Sequence, residues 1–477
     1  MDLDHALPLA RTAQRVWAAQ PVKHRLRPVR VLRHRLVRDC DRLLTVLCEE
    51  LHKTTLEALG GDLLTTADAL AWLERRAAQV LRPRRVPRSD RPIALWGQRD
   101  CVYRRPRGVV GIIGTWNYPL FLNAVQICQA LVAGNAVIWK PSEVAPRFAD
   151  IFATLMREVG WPEQLFQALP ATREGGARLA DLPLDHVVFT GSAEVGRKLA
   201  SHLGARLIPS TLELSGCDAM FLLDDADWLL AAKAAAFGVS INRGQTCIAV
   251  RRVFVPRSQM EAFSQLLLQL LPPQPMPLQL PAQEQQARRL VEDALAQGAR
   301  LLSAPLASPS EPFHGPIVLA DVRPCMALCR EAAFAPIVGL LPYDSLDEAL
   351  QAEASCPMAL SCSIFTAQPQ KGEALAGLLR AGSVCVNDVI APTAHPATPF
   401  GGHGQSGWGV TQGAEGLLEM TVPQVVSVRS GRFRPHYEPS PNQEGLLRGL
   451  LAGSHAGNLS ARWSGWWLVV RTVLKGV

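Results

Sequence analysis

The spacing of apolar residues predicts alternating strands and helices along most of the chain. The uncharged stretch from Gly108 to Trp139 divides into a strand (GVVGIIGTW), a turn (NYP), a helix (LFLNAVQICQALVAG) and the start of a second strand (NAVIWK). Unbroken apolar strands of this kind are typical of a parallel sheet covered on both faces. The stretch is long enough to cross a membrane, but its asparagines, its glutamines and Pro119 favour one buried β-α-β unit.

The same alternation continues to about residue 400 and predicts an α/β fold. Helices precede it over residues 1–90, followed by a basic surface linker (LRPRRVPRSDRP). We expect a Rossmann-type, doubly wound parallel sheet that binds a cofactor, then an α/β catalytic domain and a small bridging element. The expected boundaries are 1–213 for the N-terminal helices and cofactor domain, 214–400 for the catalytic domain, 401–430 for a return segment with an oligomerisation strand, and 431–477 for a C-terminal extension of unassigned role.

Composition narrows the class of protein. The 477 residues are 48% hydrophobic and 19% charged, which is typical of a globular protein, and the formal charge is +7. The basic excess is interleaved with leucine at helical spacing, which favours solvated helix faces over a nucleic-acid surface. Eleven cysteines without a CxxC pair favour reduced thiols in a cytoplasmic enzyme over a metal site or a disulfide framework. The N-terminus lacks an apolar signal core.

Three residues are candidates for covalent catalysis. Cys247 has polar neighbours in NRGQTCIA, where a cysteine used only for packing would have apolar ones. Glu213 is flanked by leucines at the end of an apolar strand, and desolvation there would raise its pKa into the range of a general base. The alternative is that the strand ends in solvent. Asn117 lies in the turn after a buried strand and could donate an amide hydrogen to an oxyanion.

Two further segments are candidates for cofactor binding. FTGSAEVG follows an apolar run and opens a helix, so its amides could bind a pyrophosphate between Gly191 and Gly196, although an ordinary strand-to-helix turn explains the same pattern. Lys140 and Glu143 follow a buried strand and could bind the hydroxyls of a ribose, with a solvated loop pair as the alternative. Glu143 would repel a 2′-phosphate, which favours NAD over NADP.

The order and spacing of GTWNYP, WKPSE, FTGSAEVG, LELSG, NRGQTC and PFGGHGQSG resemble the aldehyde dehydrogenase superfamily over residues 10–430. The TWNYP form is most similar to the branch that acts on fatty, aromatic or terpenoid aldehydes. The resemblance implies that Cys247 attacks the aldehyde, that Asn117 and the Cys247 amide hold the oxyanion, and that hydride passes to NAD. Glu213 would then activate water to hydrolyse the thioester. It also implies cofactor contacts from Ile113, Trp116, Lys140, Ser142, Glu143, Gly191, Ser192, Val195, Gly196, Leu214 and Phe334.

The sequence departs from the family pattern at two places. In EAAFAP, Phe334 fits the residue that packs on the nicotinamide ribose, but Ala332 replaces the glutamate that would hydrogen-bond this ribose. A lost charge-assisted hydrogen bond costs about 1.5–3 kcal/mol if nothing replaces it. In LSGCDAMF, Ser215 and Cys217 stand where the family usually has glycine and lysine, and we interpret Cys217 as a packing residue.

Two other functions stay open at this point. An acyl reductase would pass the thioester to coenzyme A, but a water-activating Glu213 would waste that thioester as acid. A catalytically weakened family member could act as a binding or scaffold protein, which Ala332 and the unusual tail support. The intact Cys247, Glu213 and Asn117 argue against it.

The late strand VPQVVSVR resembles one that pairs across subunits in this family, so we expect a homodimer. Beyond Ser430, the segment WWLVV with Arg471 and Lys475 could lie in a membrane interface, although it is too short to span a bilayer. The alternative is a helix docked on its own domain or on a dimer partner.

Overall fold

The computed structural model describes residues 3–303, 313–432, 434, 437 and 441–474. The chain forms two compact units, which we call the main unit (Met1–Leu81 with Arg105–Val422) and the small unit (Arg82–Arg104 with Pro423–Val477). Lys475, part of the proposed membrane segment, lies outside the described residues.

The described residues form α-helices and β-strands with the following bounds. The helices are α1 Leu3–Ala18, α2 Val22–Arg25, α3 Arg27–Arg38, α4 Cys40–Leu51, α5 Thr55–Ala58, α6 Thr65–Val80, α7 Pro119–Ala133, α8 Pro146–Glu158, α9 Arg173–Asp181, α10 Ala193–Ala205, α11 Trp228–Ser240, α12 Met260–Leu270, α13 Pro281–Ala296, α14 Leu346–Ala354, α15 Pro369–Ala376, α16 Gly413–Glu419, α17 Gln443–His455 and α18 Leu459–Leu474. The strands are β1 Arg84–Arg85, β2 Gln98–Pro106, β3 Val109–Ile113, β4 Ala136–Lys140, β5 Phe166–Ala168, β6 His186–Gly191, β7 Ser210–Leu214, β8 Asp218–Leu222, β9 Val250–Pro256, β10 Arg300–Leu301, β11 Ile317–Ala320, β12 Ile337–Tyr343, β13 Met358–Ala359, β14 Ser361–Phe365, β15 Ser383–Val386, β16 His403–Gly404, β17 Gly407–Trp408 and β18 Thr421–Arg429.

A six-stranded sheet forms one half of the main unit, in the order β17-β7-β6-β3-β4-β5. Its strands run parallel except β17, which returns antiparallel beside β7 with Gly407 opposite Glu213. Every residue of β3 and β4 is buried, and α7 connects them. The β-α-β unit expected from the uncharged stretch is therefore present. No helix among the described residues is both long and apolar enough to cross a membrane.

A seven-stranded sheet forms the other half of the main unit, in the order β10-β11-β12-β9-β8-β14-β15. It is parallel apart from the short edge strand β10. Strands β8 and β9 lie side by side in its centre, and both are buried along their whole length. Because Cys247 lies three residues before β9, this sheet carries the candidate nucleophile.

The N-terminal helices follow the amphipathic pattern of their sequence. Leu32, Leu36, Leu43 and Leu47 are fully buried and belong to the core that also contains β3 and β4. The arginines on the outer faces form ion pairs, such as those from Arg30 and Arg33 to Glu74 in α6. These contacts agree with the expectation that the basic residues belong to helix surfaces.

The small unit combines a three-stranded sheet with a helical hairpin. The sheet has the order β1-β2-β18, so part of the expected linker is a short strand. Helices α17 and α18 approach closely because glycines lie between them: a Cβ on Gly465 would lie 2.2 Å from the Gly453 nitrogen, and one on Gly449 would lie 2.8 Å from a Val469 methyl. Large apolar side chains consequently remain on the outside of the hairpin.

Candidate active site

One cavity of about 1460 Å³ lies in the main unit and is lined by residues from both large sheets. Cys247, Glu213 and Asn117, which are far apart along the chain, all line this cavity. Most residues that the resemblance implies for the cofactor line it as well: Ile113, Trp116, Lys140, Ser142, Glu143, Gly191, Ser192, Val195, Leu214 and Phe334.

The backbone around Cys247 is shaped by an unusual turn. Asn242 and Arg243 have φ angles of +49° and +54°, in the left-handed region that most side chains avoid. The backbone amides of Cys247 and Ile248 favour the thiolate and act to lower the pKa of Cys247. Burial, followed by the nearby carboxylates of Asp218 and Glu213, nevertheless raises the pKa of Cys247 to about 12. The thiol is therefore protonated at neutral pH, and its activation requires a base.

Glu213 occupies the position expected of that base. It lies at the fourth residue of β7, between β6 and β17, and is only 5% exposed. Thr411 Oγ1 donates a hydrogen bond to Glu213 Oε1 at 3.3 Å, while Oε2 is buried without a partner among the described residues. Burial raises the pKa of Glu213 to about 8, although the Thr411 hydrogen bond opposes the shift. The alternative, a strand ending in solvent, is wrong.

Asn117 is fixed in the turn between β3 and α7. Its Oδ1 accepts a hydrogen bond from Thr115 Oγ1 at 3.0 Å, and its Nδ2 donates to the Gln245 carbonyl at 3.1 Å. The backbone carbonyl of Asn117 accepts from Asn242 Nδ2 at 3.2 Å. The carboxamide is thus held beside the loop of the cysteine, and an amide group carries a second hydrogen that can point into the cavity.

Charged groups are paired at the opposite end of the cavity. Lys140 Nζ lies 2.8 Å from Glu143 Oε2, and Arg173 Nε donates to Glu143 Oε1 at 3.0 Å. Partial burial alone would raise the pKa of Glu143, but the hydrogen bonds from Lys140 and Arg173 hold it below its usual value. Because Arg173 is close to Glu143, the group of three carries a net positive charge. This contact was not anticipated from sequence, and it weakens the argument that Glu143 repels a 2′-phosphate.

The glycine-rich turn lines the cavity only in part. Ser192 caps α10, its hydroxyl accepting from the Val195 amide at 3.3 Å, so the first turn of the helix faces the cavity with Gly191 and Ser192. Gly196 is not among the lining residues. A Cβ at Gly196 would lie 2.6 Å from the Leu214 side chain. This glycine allows α10 to pack closely on β7, and the expected contact of Gly196 with the cofactor stays a prediction.

Two aromatic rings meet near the catalytic end. Trp116 and Phe334 form an edge-to-face pair with their centroids 5.8 Å apart, and Phe334 adopts a φ of +47°. Ala332 packs against Cys217, Cys356 and Met358 in a small apolar cluster. The two departures from the family pattern, at positions 217 and 332, are thus in one place and leave an apolar wall where the pattern has charged residues.

Several lining residues were not singled out from the sequence. They are Arg173, Gln283, Gln286, Arg330, Met358, Phe400 and Thr411. PFGGHGQSG was recognised as a motif, and two of its residues, Phe400 and Gln405, line the cavity, with Phe400 in the same apolar cluster as Cys247. Gln283 and Gln286 belong to the polar face of α13. The sequence pattern of an amphipathic helix does not show whether its polar face borders a cleft or open solvent.

The residues present fit a dinucleotide and an aldehyde. The cavity extends from the paired charges at Glu143, past the first turn of α10, to Cys247. A helix N-terminus stabilises phosphate groups through its free amides and dipole. Gln126 and Glu213 line this cavity, and Gln126 Oε1 and Glu213 Oε2 are buried acceptors without a partner among the described residues. Such acceptors are costly unless a ligand or water satisfies them.

The sequence model described as the aldehyde dehydrogenase family matches residues 1–426. The chain belongs to this family. Among the similar proteins is a 4,4'-diapolycopene aldehyde oxidase from Methylomonas sp., 35% identical over 447 residues that cover 92% of this chain and 83% of that protein. A putative succinate-semialdehyde dehydrogenase [NADP(+)] 2 from Mycobacterium tuberculosis (strain ATCC 25618 / H37Rv) is 31% identical over 443 residues, covering 89% of this chain and 84% of that protein.

Solved structures agree with this assignment. A crystal structure of Mycobacterium tuberculosis aldehyde dehydrogenase complexed with NAD+ superposes with a TM-score of 0.84 at 28% identity and covers 91% of each chain. A putative aldehyde dehydrogenase from Burkholderia cenocepacia superposes with a TM-score of 0.84 at 28% identity and covers 92% of each chain. The predicted aldehyde dehydrogenase fold, the family and the enzyme class, an NAD(P)-dependent aldehyde dehydrogenase, are confirmed.

Proposed function

We propose that this aldehyde dehydrogenase oxidises a hydrophobic aldehyde to its carboxylic acid with NAD. In this proposal, residues 1–213 bind the cofactor and residues 214–400 supply the nucleophile. The observation that carries it is the convergence of Cys247, Glu213 and Asn117 on one cavity.

The first step is the attack of Cys247 on the aldehyde. Glu213, with a pKa of about 8, removes the thiol proton as the sulfur bonds to the carbonyl carbon. The developing oxyanion accepts hydrogen bonds from the Cys247 amide and from the second N–H of Asn117. These donors are already oriented in the folded protein, and for that reason they stabilise the transition state more than the substrate.

NAD supplies the hydride acceptor that converts the thiohemiacetal to a thioester. Lys140, Ser142 and Glu143 would hold its adenosine ribose, and the first turn of α10 its pyrophosphate. Trp116 and Phe334 would confine the nicotinamide end. Glu213 then releases the thiol proton to solvent, and the regenerated carboxylate takes a proton from water, which attacks the thioester and releases the acid. An acid-forming enzyme needs this buried base, whereas transfer of the acyl group to coenzyme A does not.

The wall beside the nucleophile supports a hydrophobic substrate. Leu122, Met358 and Phe400 line the cavity, and Phe400 packs in a cluster with Cys247 and Ile248. A similar protein is named a 4,4'-diapolycopene aldehyde oxidase. We expect kcat/KM to rise with chain length across a panel of linear aldehydes assayed by NADH absorbance. A maximum at an acidic semialdehyde would contradict this choice of substrate.

Cys247→Ala tests the mechanism directly. We expect no NADH formation above background, with unchanged NAD binding, whereas the control Cys128→Ala in the core of α7 leaves turnover within about twofold. Undiminished turnover by Cys247→Ala would refute the mechanism. A rate that depends on added coenzyme A would instead identify the acyl-transferring alternative.

The edge strand β18 supports a homodimer. It lies at one side of the three-stranded sheet, and Val425 and Val428 are 62% and 48% exposed. Exposed edge strands pair readily with another chain. Val426→Pro would remove one backbone donor from the strand. We expect light scattering to report twice the chain mass for the parent and a lower mass for this variant, and a monomeric parent would exclude the dimer.

The hairpin of α17 and α18 supports contact with a membrane surface by an otherwise cytoplasmic enzyme. Trp463 and Trp467 are 76% and 63% exposed, and Arg471 lies 5.2 Å from the Trp467 ring. Exposed tryptophans beside arginines are typical of interfacial helices. We expect the double variant Trp463→Ser/Trp467→Ser to sediment less with anionic vesicles than the parent or the control Trp96→Ser. Equal sedimentation of all three would dispose of membrane contact.

A further inference from the structure

A buried ion pair that the mechanism does not use lies close to the catalytic loop. Lys53, after α4, contacts Asp62 with 2.5 Å between Nζ and Oδ2, and both side chains are fully inaccessible to solvent. A buried ion pair is a poor way to gain stability, because desolvation of the two charges offsets their attraction. Its presence in an apolar layer therefore calls for another explanation.

The second oxygen of Asp62 fixes the start of α7. Its Oδ1 accepts hydrogen bonds from the Leu120 and Phe121 amides, at 3.0 and 3.3 Å. These amides are free donors at a helix N-terminus, so the carboxylate holds the helix end in one place. Asn117 lies only three residues before Leu120 along the chain.

Lys53 reaches the same turn through an aromatic ring. Its Nζ lies 4.1 Å from the centre of the Tyr118 ring, and the Tyr118 hydroxyl is 2.8 Å from Thr246 Oγ1. Thr246 directly precedes Cys247. A continuous path of contacts thus connects the ion pair with both the oxyanion donor and the nucleophile.

The same N-terminal segment holds the strained turn before the nucleophile. Glu57 Oε1 accepts the Asn242 amide at 2.7 Å, and the Arg243 guanidinium donates to the carbonyls of Leu51 and His52. Asn242 and Arg243 are the two non-glycine residues with positive φ in this turn. Strained backbone persists only where its surroundings restrain it.

We propose that Lys53 and Asp62 are positioning residues for the catalytic centre. Through Tyr118 they hold the start of α7 against the loop of the nucleophile, which sets the distance between the Asn117 amide and Cys247. The inference rests on the proposed function, in which Asn117 and Cys247 act on the aldehyde. It gives a catalytic role to the N-terminal helical segment that contains Lys53 and Asp62, although this segment contributes no residue to the lining of the cavity.

The test compares Lys53→Met and Tyr118→Phe with the parent in the full-length protein. We expect each to lower kcat by about tenfold or more, because misplacement near the reacting atoms by a fraction of an ångström is costly. NAD affinity, measured by equilibrium titration, and the aldehyde KM should stay within about twofold. The rate of Cys247 alkylation by iodoacetamide should change with kcat. The control Arg33→Met removes another ion pair of the helical layer, that with Glu74, and should leave all four quantities unchanged.

Each outcome has a clear consequence. Lys53→Arg should recover part of the activity that Lys53→Met loses, since the charge is restored; equal losses would overturn the role of the ammonium group. If Lys53→Met does not fold, Tyr118→Phe decides, because it removes only the hydroxyl contact with Thr246. A folded Tyr118→Phe enzyme with parental kcat overturns this inference alone when Cys247→Ala is inactive. Activity in Cys247→Ala overturns the proposed function as well.

Discussion

Two glutamates line the same cavity in opposite environments. Glu143, at the proposed adenosine end, is bridged by Lys140 and Arg173, and its pKa lies below the usual value. Glu213, at the catalytic end, is buried with one oxygen unpartnered, and its pKa is raised to about 8. The first side chain stays ionised and suits the binding of hydroxyl groups, whereas the second is poised to exchange a proton.

The contrast extends to the surroundings of each end. At the end that holds Glu143, charged groups are paired beside solvent. At the end that holds Cys247, Ala332 and Met358 line the cavity and pack with Cys217, and Trp116 and Phe334 form an edge-to-face pair. Under the proposed function, the first end would hold the cofactor by polar contacts and the second would provide a desolvated region for the chemistry.

Removing the buried base has the largest expected effect. Glu213→Gln keeps the shape and removes the proton acceptor, so steady-state NADH formation should fall by about 10²–10⁴-fold. In the parent, kcat should rise with pH through about 8 as Glu213 ionises. A pH profile of kcat that is flat between pH 6 and 9 would contradict the role of Glu213 as the group that exchanges a proton, and with it the distinction from Glu143.

Glu213→Gln should raise the stability of the folded protein, although it lowers the activity. The folded pKa of Glu213 is above the unfolded value, so the folded state binds more protons between pH 4.5 and 8 and loses stability as pH rises through that window. Glu213→Gln should therefore be more stable than the parent above pH 8, by roughly 2–4 kcal/mol. Urea titrations at pH 5 and 9 measure this, with the exposed Glu261→Gln as a control expected to match the parent. A Glu213→Gln variant less stable at pH 9 would contradict the assigned burial cost.

Lys140→Met tests the polar end of the cavity. The ammonium group is 5% exposed and is held by Glu143, so its loss removes a charge-assisted hydrogen bond worth about 1.5–3 kcal/mol. We expect NAD to bind about 10–100-fold more weakly in a fluorescence titration, with little change in kcat at saturating NAD. Lys233→Met, at an exposed position, serves as the control. Unchanged NAD affinity in Lys140→Met would contradict the proposal that adenosine binds at this end of the cavity.

Arg173 should influence the choice between NAD and NADP. It is mostly exposed beside Glu143, where its charge can attract a 2′-phosphate. Because exposed charges are screened, Arg173→Ala should raise the ratio of kcat/KM for NAD over NADP by only about fivefold. Arg178→Ala, on the same helix, should leave the ratio unchanged. If the ratio falls in Arg173→Ala, Arg173 does not favour NADP, and its assigned attraction for a 2′-phosphate is contradicted.

Ala332→Glu should have the smallest effect. It places a carboxylate at the nicotinamide end, where a ribose hydroxyl can donate to it, and NAD should bind about threefold more tightly. Ala332→Gln has a similar length without the charge and should improve binding less. Weaker NAD binding in Ala332→Glu, measured by calorimetry, would show that the apolar wall is itself required for cofactor placement.

Much of this architecture is predictable from the sequence. The apolar runs in and around Gly108–Lys140 predict α7 and β4 to within one residue and β3 to within three, because strands buried on both faces leave an unbroken apolar pattern. The positions of Cys247, Glu213 and Asn117 follow from motifs whose local chemistry is unusual. The packing role of Gly196 was not predictable, since a glycine that permits close packing and one that approaches a ligand look the same in sequence.

The sequence by itself determined the family, the order of elements and the candidate nucleophile and base, since these depend on local pattern and spacing. Only the tertiary structure decided the pairing of Arg173 with Glu143, the apolar contact of Ala332 with Cys217, and the path from Lys53 to the nucleophile loop. Each of these joins residues from separate elements, and periodicity within an element carries no information about which distant side chain it will meet. The pKa values also depend on the tertiary structure, because desolvation of a group is set by the residues that the whole fold places around it.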